Sequence, residues 1–340
     1  MLLKRRLIQA RTVNGEPSLS IHRALQRNIR ETLSKDPHKE QKVFYQALTI
    51  IRTSFPDPSP IQVPEPEKWP LYQQLLPHVY SLRAIYVASP GRFSPSAEFA
   101  GLLASAGINQ WERGLTKDGS TLLRTAEEML DVIGFDKMGT RRADVHAIIA
   151  LMNDNTGISQ REEAWTRRKQ ALEIRQAHID SVDTITRNDE TLLYNAKMDM
   201  VCSLLQYNDY NGAEPILEDC LAKYQEWGSE EEIPFEYAKY YHNMALVRMY
   251  QRRFAEAFHL AGTGVFHMGK ARLDSLSYRF KFDQACIILQ SGDKEKALEM
   301  HEEILKRRTF ICGQSNEFTL HSCFAVGVLY EARGELDKAE

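Results

Sequence analysis

Of all the strings in this 340-residue chain, GVFHMGKA at 264–271 comes nearest to a catalytic device. It matches the phosphate loop Gly-x-x-x-x-Gly-Lys-Ser/Thr up to its last position, where Ala271 lacks the hydroxyl that ligates magnesium. A phosphate loop must also leave a buried strand and open a helix, whereas the preceding FAEAFHLAGTG has the period of a helix itself. The string therefore reads as helix, with Gly262, Gly264 and Gly269 permitting tight packing or a bend. Histidine spacing offers no better chemistry. HEEIL at His301 lacks the second histidine of a metalloprotease helix, and His259 and His267 stand two helical turns apart without a third ligand. The five cysteines form no Cys-x-x-Cys pair and no disulfide-like spacing. Cys202, Cys286 and Cys323 fall at or beside positions where small residues recur, as core residues do. No catalytic, metal or cofactor site is expected, and the chain reads as a protein that is not an enzyme.

The elements around these residues set a different expectation. An apolar fraction of 43% is enough for a sizeable core, and the net charge is only -3. That charge is unevenly placed: residues 1–52 carry eleven Lys/Arg against four Asp/Glu, and the remainder 32 against 42. A basic head suits phosphates or an acidic protein surface, and a nucleic-acid binder using Arg23, Arg27 and Arg30 is the alternative class of function. No apolar run reaches signal-peptide or membrane-spanning length, so no membrane partner is expected and a cytoplasmic location fits the unpaired cysteines.

Along the chain, residues 2–9 and 18–22 flank Val-Asn-Gly-Glu, and Asn-Gly predicts a β-hairpin. Leu25, Ile29 and Leu33 then form one stripe of a helix, and Val43, Ala47, Ile50 and Ile51 another. Between Pro56 and Pro70 lie six of the thirteen prolines, which predicts a stiff connector. The domains expected are 1–52, a linker at 53–70, and helical repeats over 71–340.

Those repeats are written as one word: a small residue, a turn-former, and a second small residue twelve positions after the first. It occurs as Gly107/Gly119 around Gly114, Met152/Ala164 around Ser159, and Val201/Ala213 around Asn208. It returns as Ala245/Ala257 around Arg252, Ala285/Ala297 around Gly292, and Gly327/Ala339 around Gly334. Small residues let two antiparallel helices approach, and the turn-former ends the first of them. Successive words lie 45, 49, 44, 40 and 42 residues apart. The word resembles the tetratricopeptide repeat (TPR), and the long period resembles the kinesin-light-chain style of it. The fold class expected is all-α, a right-handed TPR-like solenoid of about six helix pairs behind a small hairpin and helix.

Such solenoids bind along the concave face made by their first helices. The register assigns that face to Asn195, Met198, Lys239, His242, Arg279, Phe282, His321 and Phe324. Cationic and aromatic side chains together suit a protein or peptide ligand with acidic and apolar groups. The final word, LYEARGELDKAE, stops before its second helix is complete. A truncated last repeat is therefore expected, with Val328, Leu329 and Leu336 partly exposed.

The head adds a resemblance. LKRRLIQ, LSIHRALQRNIRETL, QKVFYQALTIIRTSFP and WPLYQQLLPHVYSL are similar to the stretch that links NTPase and TPR array in fungal NLR-like (STAND, NB-ARC or NACHT-type) proteins. FAGLLASAGINQWERG resembles their first repeat. The resemblance implies a winged-helix remnant at 1–52 and a sensing and assembly arm, with an NTPase domain as partner or as a missing upstream part. It makes His22 the position that senses nucleotide in the full-length family, although Arg23 stands where that family has aspartate. The alternative role for His22 is to start and cap a helix.

Overall fold

Fifteen α-helices and one two-stranded sheet make up the described part of the chain. The computed structural model describes residues 8–13, 16–59, 63–134 and 140–339. Strands β1 (Ile8–Val13) and β2 (Glu16–Ile21) pair antiparallel, with Val13 opposite Glu16. The expected hairpin is present, and its described strands reach nearer the turn than residues 9 and 18, to Val13 and Glu16. Residues 2–7 and the Asn14-Gly15 turn lie outside the described residues. Helix α1 (Arg23–Leu33) follows at once, because His22 caps it: its Nδ1 accepts from the Ala24 N–H at 3.2 Å.

Helix α2 (Pro37–Ser54) starts at the Asp36 cap and α3 (Trp69–Ala88) contains Pro77. The chain divides into two compact units, residues 1–55 with 75–94, and residues 56–74 with 95–340. In the first, Phe44 stacks on Phe93 at 4.4 Å between ring centroids. Arg92 donates to the Ser34 carbonyl at 2.5 Å and pairs with Glu40 at 3.2 Å. The buried face of α2 is Phe44 and Leu48, whereas Val43 and Ile50 are exposed. The predicted stripe is thus rotated by one residue, toward the position where an aromatic ring finds a partner.

The second unit is a run of helix pairs: α4 (Ala97–Glu112) with α5 (Thr116–Ile133), α6 (Arg141–Thr156) with α7 (Arg161–Ser181), α8 (Arg187–Gln206) with α9 (Tyr210–Trp227). It continues as α10 (Pro234–Tyr250) with α11 (Phe254–Lys270), α12 (Asp274–Gln290) with α13 (Lys294–Cys312), and α14 (Glu317–Ala332) with α15 (Leu336–Ala339). Every pair is one instance of the repeated word. Of its turn-formers, Gly114, Asn208, Arg252, Gly292 and Gly334 have positive φ. Ser159 lies instead in a short 3-10 turn, Ile158–Gln160.

The paired small residues are where the helices meet. Ala164, Val201, Ala213, Ala245, Ala257, Ala285 and Ala297 are all fully buried. A Cβ on Gly107 would stand 2.5 Å from Leu123 Cγ, and one on Gly119 would stand 2.3 Å from Met152 Cε. Met152 is large for its slot, and Gly119 supplies the room it needs. Gly264 plays the same part between α11 and α10, where a Cβ would stand 3.2 Å from the Ala238 carbonyl oxygen. The phosphate-loop-like string is continuous helix at the end of α11. The fold is an all-α, TPR-like solenoid with a small amino-terminal hairpin.

At the last pair, Val328 and Leu336 are exposed at 44% and 62%, as expected. Leu329 departs from that expectation and is buried, since it packs on Leu298 and Val326.

Candidate functional site

A cavity of about 450 Å³ opens among the first helices of successive pairs, α4, α6, α8, α10 and α12, with Met268 of α11 at its wall. Helical register explains which side chains reach it. Asn195 and Asp199 come from α8, Lys239 and Asn243 from α10, and Arg279 and Asp283 from α12, each pair one turn apart. Met198, Leu246, Met249 and Phe280 supply much of the apolar surface between them.

Its acids are held differently. Asp154 is bound by Arg168, whose side chain is wholly buried, and by Gln206 Nε2 at 2.7 Å. Arg168 also donates to Ser203 Oγ at 2.7 Å, so one guanidinium ties α6, α7 and α8 together. Asp283 sits 3.2 Å from His242 Nε2. Burial acts to raise the Asp283 pKa, but His242, Arg279 and Arg308 outweigh it and the pKa falls. Asp199 has the opposite balance: burial outweighs Arg168 and Lys239 and pushes its pKa up to about 6.

The cations and amides face the same space. Lys239 donates to Asn195 Oδ1 and lies over the Phe235 ring at 4.6 Å. Burial lowers its pKa, against the pull of Glu236 and Asp199. Asn243 Nδ2 donates to the Lys239 carbonyl at 3.0 Å. His242 stacks on Phe280 with ring centroids 3.8 Å apart. Cys202 and Cys286 also line the wall, and burial pushes their thiols up to about 11 and about 12, which keeps them protonated and poor nucleophiles. Among the described residues no cluster of three or more His, Cys, Asp or Glu is placed to hold a metal. The arrangement can bind: amides that both donate and accept, two cations and a polarizable apolar wall.

Five of the eight residues assigned to the partner groove line this cavity: Asn195, Met198, Lys239, His242 and Arg279. Phe282 lies elsewhere, against His301 and the Arg308 guanidinium. His321 and Phe324 are exposed on α14. Asp199, Asn243 and Asp283 were not assigned from sequence, yet each follows an assigned residue by four positions. Carrying the register one turn further finds them. Trp111 and Asp154 carry no such signal, because the first two words are the least regular. His22 is exposed and serves as the α1 cap.

The chain shares its fold with the quorum sensor NprR. Its structure in complex with the cognate peptide NprX aligns at TM-score 0.61 and 14% identity, over 93% of this chain and 80% of that one. Apo NprR from B. thuringiensis aligns at 0.51 and 13% identity, over 93% and 92%. The apo form of RapI aligns at 0.51 and 13% identity, over 79% and 87%. No family model matches the chain, and no curated protein matches it. The likeness is one of fold: TPR-like helical repeats. Among the described residues no helix is long and apolar enough to cross a membrane.

Proposed function

We propose that this protein is a non-catalytic sensor scaffold that binds a peptide or protein segment in the cavity on the concave face of its repeats. The observation that carries the reading is the cavity itself. Its volume, about 450 Å³, lies in the range of ligand sites, and it mixes apolar wall with convergent amides and cations. NprR, solved with its cognate peptide, has the same fold, which supports a peptide as the occupant. Asn195 and Asn243 suit the N–H and C=O groups of an extended backbone, and Lys239 and Arg279 suit its carboxylates.

The finer reading, a cytoplasmic sensing arm of an NLR-like signalling protein with a winged-helix remnant at its head, is supported by the sequence resemblance of residues 1–52 and of FAGLLASAGINQWERG. An NTPase domain would then be its second partner.

The test is affinity selection of the full chain against a pool of short synthetic peptides of random sequence. The wild type should retain a subset rich in acidic and apolar residues. Lys239→Glu should weaken that retention by at least about tenfold, about 1.4 kcal/mol. Equal retention by the two proteins, or none by the wild type, overturns the reading.

A further inference from the structure

In a solenoid each pair touches its neighbours, and stability is a sum over adjacent pairs. One set of contacts in the second unit breaks that rule. The corner between α4 and α5 meets the start of α14, more than 200 residues away. Asn316, buried at the head of α14, caps that helix by accepting from the Phe318 N–H at 3.0 Å. Its other amide atom, Nδ2, donates to the Arg113 carbonyl at 2.7 Å, at the end of α4. Helix α5 has no capping side chain of its own, since Leu115 precedes it. The Glu317 carboxylate supplies one, accepting from the Thr116 N–H at 3.2 Å. Gly114, at φ +67°, lies beneath the Phe318 ring, where a Cβ would be 2.7 Å from Cε2.

The same corner reaches the cavity. Trp111 lines its wall, and its indole N–H is buried without a hydrogen-bond partner among the described residues. Glu112, the next residue, accepts from the Trp69 indole at 2.9 Å and so fastens the Pro-rich segment to the corner. Six consecutive residues therefore carry a cavity wall at one end and a long-range closure at the other.

We propose that Arg113–Thr116 and Asn316–Phe318 form a clasp that closes the repeat array on itself and gates access to the cavity. None of these contacts lies between the two helices of a pair. Among the described residues they include two hydrogen bonds and one ring on a glycine, and contacts of this kind open locally at far less cost than global unfolding. When they open, the corner is released with Trp111 on it, and the wall of the cavity moves.

The test needs no ligand. In the full chain with Cys312→Ser and Cys323→Ser, Cys202 and Cys286 remain in the cavity wall and Cys220 remains in the α8–α9–α10 core. Their reaction with 5,5′-dithiobis(2-nitrobenzoate), resolved site by site by mass spectrometry, reads access. Glu317→Ala and Gly114→Ala should each speed Cys202 and Cys286 by about fivefold or more and leave Cys220 unchanged, as local opening requires. Amides at 116–119 should lose hydrogen-exchange protection in parallel. Glu317→Gln keeps an acceptor oxygen and should stay near wild type, which separates loss of the cap from a general packing defect. Unchanged cavity thiols in both variants overturn the proposal. So does an equal rise at Cys220, which would mean global loosening.

Discussion

Arg308 is 5% exposed, yet its guanidinium donates to the Phe318 carbonyl, Ser322 Oγ and the Tyr278 carbonyl at 2.9, 2.9 and 3.1 Å. Burial lowers its pKa to about 10, so it stays charged at neutral pH and holds α12, α13 and α14 together. Arg308→Ala removes three charge-assisted hydrogen bonds that join neighbouring helices and should cost about 3 kcal/mol in urea unfolding. Asp199 shows the reverse situation, a carboxyl destabilised by its place in the cavity. Its folded pKa, about 6, lies above its value in the unfolded chain, so the folded state holds the extra proton. The stability this confers is full below about pH 3.9 and is lost as pH rises through about 6. Asp199→Asn should therefore unfold at higher urea than wild type at pH 8, and the gain should vanish near pH 3.5. A gain independent of pH would contradict the burial argument. Register reaches the position of Asp199, one turn beyond Asn195, but the burial and partners of both residues were not legible in the sequence. A lone arginine or aspartate on a helix looks like surface until its neighbours from two other helices are known.

At the scale of elements the sequence was far more informative. Small residues twelve apart located the six helix pairs, because close helix approach tolerates little else. Gly107 tests this directly. Gly107→Ala places a methyl group 2.5 Å from Leu123 Cγ, and overpacking of that kind costs about 1–3 kcal/mol, measurable as a lower thermal midpoint. In contrast Gly269→Ala meets nothing within 4 Å and should raise the midpoint slightly, since alanine is the better helix former. What sequence period could not supply was contact between elements far apart in the chain. The face of α2 was read one residue out of phase because its partner ring, Phe93, lies 49 positions from Phe44. The Glu317 cap on α5 is invisible for the same reason, more than two hundred residues removed.

For the whole molecule, the five cavity residues found from register belong to the middle pairs, where the repeated word is regular. His321 and Phe324 belong to α14, whose start is committed to the corner between α4 and α5. Register alone treats every pair as equivalent, whereas the array has ends, and one end reaches round to the other. In the proposed function a peptide occupies the cavity between the first helices. Hydrogen exchange of the full chain, with and without a peptide recovered by selection, tests it most directly. Protection should concentrate on α8, α10 and α12 around Asn195, Lys239 and Arg279. Protection confined to the second helices α7, α9 and α11, or absent altogether, would contradict it.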